Sequence, residues 1–321
     1  MGEVLLTGAS GFIGGAILER MQARARPDGG PTVRVLEHRR PVGGDVEVVR
    51  GDLGAPRTLR GLCAGVETVI HTATHIGEEE EACQQVNARG TEALVEEAVR
   101  AGVRRLVYVS NAAVCGWAVQ SGEDEAHAAV APVTPVSRSR VAAERAVLAA
   151  GGLVLRPLFV YGEGDTRFVP TMARALARLR FLVDGGRARV SVIAVDELAA
   201  AICDLVAAPS WAPGVMHATD GQPVSLKVIV ETLAQQLGTP VPWLSVPWPV
   251  ARRAVRYVGR RTVGGTAGRT SAEHRAFLVS RDHYFDSARL WQALGRQPGP
   301  PFTARLGAHR AFYARILAGA A

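Results

Sequence analysis

A chain of 321 residues with 48% hydrophobic content holds enough apolar material for one large α/β unit with an appended lobe, and extended disorder is excluded. The net charge of +7 rests almost wholly on arginine, Lys227 being the only lysine, and without a nucleic-acid-binding motif or a basic tail no nucleic-acid partner is expected. An apolar strand starts within the first few residues, where a secretory leader has no room, and no apolar run reaches the roughly 18 residues of a membrane helix, so a cytoplasmic protein with no membrane partner is expected.

Short apolar strands alternate with helical stretches from the start. Val4-Leu5-Leu6 reads as the first strand, followed by strands at 33–36, 46–49, 68–70, 106–109 and 153–155. Helices are expected at 87–100 and 135–150, the second opened by Thr134 as N-cap and Pro135 as first helical residue. This order predicts an α/β fold, a doubly wound parallel sheet of the Rossmann kind with a smaller C-terminal substrate lobe. Residues 1–160 are assigned to the dinucleotide-binding domain, to which a segment near 187–208, with a strand at 190–193, returns. Residues 161–186 and 209–321 are assigned mainly to the substrate lobe. Cys63, Cys83, Cys115 and Cys203 are scattered, with no Cys-x-x-Cys pair and no histidine pair nearby, so neither a metal nor a disulfide framework is expected.

The string Thr7-Gly8-Ala9-Ser10-Gly11-Phe12-Ile13-Gly14 lies between the first strand and a helix. Glycines there permit a tight turn, close approach of backbone to a pyrophosphate and close helix packing, with the helix N-terminus facing the phosphates. Gly8, Ser10, Gly11, Phe12, Ile13 and Gly14 are therefore cofactor candidates. The second strand ends in Glu37-His38-Arg39-Arg40, which carries two opposed signals. Glu37 suits the ribose hydroxyls of NAD, whereas His38, Arg39 and Arg40 suit a 2′-phosphate, and NADP(H) is favoured over NAD(H). Asp52 and Leu53 follow the third strand and are placed to meet the adenine, with a turn-capping role for Asp52 as the alternative.

Together with Gly51-Asp52-Leu53, Val69-Ile70-His71-Thr72-Ala73, Asn87 with Gly90-Thr91, Arg156-Pro157 with Tyr161-Gly162, and Val195-Asp196, these features resemble an extended short-chain dehydrogenase/reductase of the NAD-dependent epimerase/dehydratase type. The resemblance implies that Ala73 borders the cofactor and that Asn87 supports the active-site helix. It also implies a Ser or Thr that polarises the carbonyl, and a Tyr with a Lys four residues later for proton transfer and ribose binding. Counting back from Gly116 puts Asn111 at the Ser/Thr position, with Ser110 beside it. The helix of the Tyr/Lys pair carries Val136 and Arg140 instead. Valine cannot donate a proton, and arginine lacks a tunable amine.

Two functions are compatible with that departure. One is an NAD(P)H-dependent ketoreductase whose proton comes from water or from a phenolic substrate with a hydroxyl beside the ketone, as in tailoring reductases of aromatic polyketides. Asn111, Ser110 and Ser139 are its catalytic candidates, with Cys115, Tyr161, His75 and His127 as further loop residues. Its partner is a small, aromatic molecule, for which Trp117, Phe168, Trp211 and Trp243 are candidate pocket residues. The other is a nucleotide-binding sensor or regulator that performs no chemistry.

Overall fold

The computed structural model describes residues 3–24, 32–44, 46–209, 212–262 and 265–319. Its centre is a seven-stranded sheet built from β1 (Glu3–Thr7), β2 (Val33–Glu37), β3 (Glu47–Arg50), β4 (Val66–His71), β5 (Arg105–Val109), β6 (Leu153–Arg156) and β7 (Gly214–His217). The spatial order is β7-β6-β5-β4-β1-β2-β3, every pair is parallel, and Leu5 of β1 lies opposite Val69 of β4. Val4, Leu5 and Leu6 are all fully buried. A strand covered on both faces needs such a continuous apolar run rather than alternation.

Helix α1 (Phe12–Arg24) packs on one face, where Ile17, Leu18 and Met21 meet the sheet. On the opposite face lie α2 (Gly90–Arg100) and α3 (Pro135–Ala149), with Leu94, Ala98, Ala143 and Val147 against Leu5, Val69 and Tyr108. Each such leucine, isoleucine, valine or methionine side chain contributes about 1.5–3 kcal/mol by its burial, the alanines less. Thr134 caps α3 as expected: its Oγ1 accepts from Ser137 N (3.1 Å), while Thr134 N donates to Ser137 Oγ (2.9 Å). The chain moves from β1 outward to β3, then returns to β4 on the other side of β1. The reversal opens a crevice at the carboxyl ends of β1 and β4, where ligands of such sheets bind.

Beyond β6, the lobe contributes α4 (Val169–Arg178), α6 (Trp248–Thr262) and α7 (Gly265–Ser280), and between α4 and α6 the chain returns to the sheet with α5 (Val195–Ala207). Helix α5 packs beside α1, so the second pass of the chain completes that face.

Three boundaries differ from the sequence expectation. The helix expected at 87–100 continues upstream as a π-turn, Gln84–Arg89, and a first helical turn, Glu80–Cys83. Glu80 and Glu81 stand in its first turn, where carboxylates suit a helix N-terminus. The strand expected at 190–193 is broken at Ser191 into Arg189–Val190 and Val192–Ala194, which pair in different sheets. Residues 214–217, assigned with the lobe, form the edge strand of the cofactor sheet. The pairing of Val215 with Val154 and of Met216 with Leu155 takes them there.

Candidate active site

The turn after β1 shows why its glycines are needed. Gly8 has φ +76°, and a Cβ there would lie 2.6 Å from Thr72 Oγ1 and 2.7 Å from Ala73 N. A Cβ on Gly14 would overlap the carbonyl oxygen of Gly8, so the first turn of α1 rests directly on the β1 turn. Gly11 N closes that turn by donating to Gly8 O (2.9 Å). Gly8, Ser10, Gly11, Phe12, Ile13 and Gly14 all line one large cleft of about 2440 Å³, with Ala73 opposite them.

The floor between β1 and β4 is held by a buried chain of side chains that sequence reasoning missed. Thr7 Oγ1 lies 2.6 Å from His71 Nδ1, His71 Nε2 lies 2.9 Å from Thr91 Oγ1, and Thr91 Oγ1 donates to Asn87 O (2.6 Å). Because the Thr91 proton is committed to Asn87 O, Thr91 accepts from His71 Nε2–H, and His71 Nδ1 in turn accepts from Thr7. Thr7 Oγ1 also accepts from Ala73 N (3.3 Å). Burial lowers the His71 pKa to about 4, so the ring is neutral, as this chain of donors requires. The only signal in the sequence was the Val-Ile-His-Thr-Ala string itself.

At the adenosine end, His38, Arg39, Arg40, Asp52 and Leu53 line the cleft. Glu37 accepts from Val42 N (3.1 Å) and lies 3.6 Å from Arg50 Nε, which draws its carboxylate to the strand edge. Asp52 both caps a turn, accepting from Gly54 N (2.7 Å), and pairs with His38 Nε2 at 3.2 Å. Leu53 is buried against Gly90, where a Cβ would come within 2.5 Å of the Leu53 carbonyl.

The catalytic candidates separate clearly. Ser110 lines the cleft at the end of β5, is 3% exposed, and its buried Oγ has no hydrogen-bond partner. Asn111 also lines the cleft, but its amide is committed: Oδ1 accepts from Ala113 N (2.8 Å) and Nδ2 donates to Leu158 O (2.9 Å). Ser139 is not brought to the cleft. Its hydroxyl donates back to Val136 O (3.0 Å) and accepts from Asn87 Nδ2 (3.0 Å). Asn87 also clasps the backbone of His75, accepting from its N (2.6 Å) and donating to its O (2.9 Å), and so ties the loop after β4 to α3.

Arg140 lies in the cleft wall with its Nε buried and unpartnered, and burial pushes its guanidinium pKa down. Helix α3 is in turn anchored to β6 by the buried pair of Glu144 with Arg156 (2.9 and 2.6 Å). None of the five tyrosines, all within the described residues, lines the cleft. Tyr108 stacks on His71, Tyr161 and Tyr313 are buried in the lobe core, Tyr284 accepts from Arg189, and Tyr257 is exposed on α6.

The lobe end of the cleft is apolar, walled by Met172, Leu176, Leu182, Trp248 and Val255. Phe168 lines it and stacks on Phe159 at 4.6 Å. The other expected aromatics are elsewhere: Trp117 packs edge-on against His274 and Phe277, Trp243 is 75% exposed, and Trp211 lies outside the described residues. His75 lines the cleft, whereas His127 pairs with Asp124 at the surface and Cys115 is buried in the lobe core.

Residues 4–215 match the NAD dependent epimerase/dehydratase family. The chain is also 30% identical over 270 residues to a 4-hydroxy-2-methyl-3-oxo-4-farnesyl-3,4-dihydroquinoline-1-oxide ketoreductase of Stigmatella aurantiaca, covering 78% of each. The chain belongs to the NAD dependent epimerase/dehydratase family. It is accordingly a nicotinamide-dependent oxidoreductase, and it is also similar to a 2-alkyl-3-oxoalkanoate reductase of Stenotrophomonas maltophilia, 28% identical over 74% of this chain and 76% of that one. Solved structures share the family fold along the whole chain. The Bordetella bronchiseptica enzyme WbmH in complex with NAD+ superposes with a TM-score of 0.76 at 18% identity, covering 98% of this chain and 99% of that one. DesIV, a dTDP-glucose 4,6-dehydratase from Streptomyces venezuelae with NAD and TYD bound, gives 0.74 at 20% identity, covering 98% and 97%. Among the described residues no helix is long and apolar enough to cross a membrane.

Proposed function

We propose that the protein is an NADPH-dependent ketoreductase for an aromatic, polyketide-type ketone, working without a tyrosine acid. One observation carries this reading: no tyrosine lines the cleft, while a buried serine hydroxyl and a buried guanidinium nitrogen stand there unpartnered. The residues fit a dinucleotide. Gly8 and Gly14 form a cradle that any Cβ would obstruct, and Arg140 leaves a donor for the ribose or for the reacting carbonyl. His38, Arg39 and Arg40 line the adenosine end while Glu37 is engaged elsewhere, which supports NADPH over NADH. Two relatives named for ketone reduction support the reaction class. The apolar wall suits a lipophilic or aromatic substrate, and Val136 gives the chain its likeness to the angucyclinone ketoreductase of simocyclinone biosynthesis.

When bound, the nicotinamide supplies the hydride. Ser110 Oγ donates a hydrogen bond to the ketone oxygen, and Arg140 stabilises the negative charge that develops on it. Asn111 acts through its cap, which fixes the turn that follows Ser110. Ser139 acts through Asn87, holding α3 against the loop after β4. The apolar side chains at the lobe end lower the polarity around the bound ketone, which strengthens both contacts. The final proton comes from water or from a hydroxyl neighbouring the ketone in the substrate itself, since neither Val136 nor Arg140 can give one up.

The test is reduction of an aromatic ketone bearing a neighbouring phenol, compared with its methyl ether, with NADPH consumption and product both followed. The ether is expected to react at least about tenfold more slowly, in line with the loss of a general acid, and Ser110→Ala to lower kcat about 100-fold, as for removal of one oxyanion donor. Equal rates for phenol and ether would overturn the substrate-derived proton. Binding of NADPH without turnover of either would overturn the choice of substrate.

A further inference from the structure

Residues 166–183 and 232–272 contain no aspartate or glutamate and together carry ten arginines. The fold brings these two stretches together. The strand Phe181–Val183 pairs in parallel with Leu244–Val246, and Leu244 N donates to Arg180 O (3.1 Å). Both stretches wall the mouth of the cleft through Leu179, Trp248, Ala251 and Val255.

Among the described residues, six of the eleven exposed large apolar side chains gather on this rim: Leu179, Val241, Trp243, Leu244, Val250 and Tyr257. That concentration exceeds the scattered apolar exposure of an ordinary surface. On α6, Val250, Arg253 and Tyr257 recur at i, i+3 and i+7 and share the outward face, while Ala251 and Val255 face the cleft. Arg252 and Arg256 are turned to Glu273 of α7. Arg174, Arg178, Arg180 and Arg253 are exposed and have no carboxylate partner among the described residues.

We propose that this rim docks on an anionic phospholipid surface. Trp243, Val250 and Tyr257 enter the boundary between headgroups and acyl chains, the unpaired arginines reach the phosphates, and the cleft opens onto the bilayer. Apolar and aromatic side chains interleaved with arginine are the signature of a surface-lying helix, and it requires no membrane-spanning run. A second copy of the chain is a poor occupant, because a twofold contact would set the same unpaired arginines against one another. The inference does not rest on the reductase reading.

The full chain is sedimented with vesicles of phosphatidylcholine containing about 30% phosphatidylglycerol, and with phosphatidylcholine alone. Binding to the anionic vesicles is expected to be at least about tenfold tighter and to weaken as salt rises. Arg178→Glu combined with Arg253→Glu is expected to lower it more than about tenfold. Trp243→Ser is expected to lower it severalfold, each variant retaining the unfolding temperature and NADPH affinity of the unmodified protein. Two outcomes overturn the proposal: no preference between the vesicles at low salt, or a dimer of the unmodified protein that these same substitutions dissociate.

Discussion

The buried chain from Thr7 through His71 to Thr91 predicts an acid sensitivity that one substitution removes. His71 titrates at about 4 in the folded protein against an ordinary 6.5, with burial as the cause. Between those values the unfolded chain binds more protons than the folded one. The contribution is therefore fully present above about pH 6.5 and is lost as pH falls toward about 4. Going from pH 7.5 to 5.0 removes about 2 kcal/mol through this one ring. Protonation would also turn Nδ1 into a donor facing Thr7 Oγ1, so the Thr7 hydroxyl would lose the acceptor it now donates to. Glutamine at this position offers the same pattern, an oxygen toward Thr7 and an amide toward Thr91, without titrating. Urea unfolding of the parent and of His71→Gln at both pH values isolates the effect, because any fixed cost of the substitution cancels in the double difference. Burial lowers His217 to about 4 and His283 to about 3, and both substitute and parent keep those rings. The parent is expected to lose about 2 kcal/mol more than His71→Gln between the two pH values. An equal loss would refute the neutral assignment of His71.

Gly14→Ala gains roughly 1 kcal/mol of helix propensity. The overlap with the Gly8 carbonyl outweighs it, so net destabilisation of about 1–3 kcal/mol and weaker dinucleotide binding are expected in thermal melts with and without NADPH. Arg39→Ala with Arg40→Ala should shrink the thermal shift produced by NADPH and leave that of NADH unchanged, each lost charge-assisted bond being worth about 1.5–3 kcal/mol. A parallel fall for both cofactors would place the two arginines outside phosphate recognition. Arg140→Met keeps the packing of the stem and removes a buried donor without a partner. The ligand-free protein should gain about 1–3 kcal/mol, while the stabilisation of about 2.7 kcal/mol expected from NADPH at a hundredfold excess over Kd should diminish.

The dinucleotide end was legible because its features are backbone features. A run such as Val4-Leu5-Leu6 has one stable use inside a parallel sheet, and glycines at 8, 11 and 14 answer to collisions that any side chain would cause. The catalytic end was less so, because a residue type does not say where a side chain spends its hydrogen bonds. Asn111 sits where counting put it, yet an asparagine opening a turn caps it, and the amide is used up there. Ser139 lies one turn from Val136 but bonds back to that residue's carbonyl, as serine inside a helix tends to do. The role of Asn87 followed from the family likeness, whereas its bidentate grip on His75 required the π-turn, which has no sequence marker. Residues 214–217 were misplaced because a four-residue edge strand carries too little pattern to be read.

A tyrosine in this family's cleft serves two needs at once, a hydrogen bond to the carbonyl as charge develops and a proton afterwards. The arrangement found here separates them. On the proposed reading Ser110 and Arg140 meet the first, with buried donors that no other group of the protein engages. The second needs a donor only after the charge has formed, and a hydroxyl carried by the substrate is already in place at that moment. On the proposed reading the protein tolerates Val136 because electrostatic stabilisation, at about 100- to 1000-fold per donor, is comparable with what proton transfer contributes, about 100- to 10,000-fold. The restriction then falls on the substrate: ketones lacking a neighbouring hydroxyl would bind this cleft as well as the others do and yet be reduced slowly, so selectivity should appear in kcat rather than in KM.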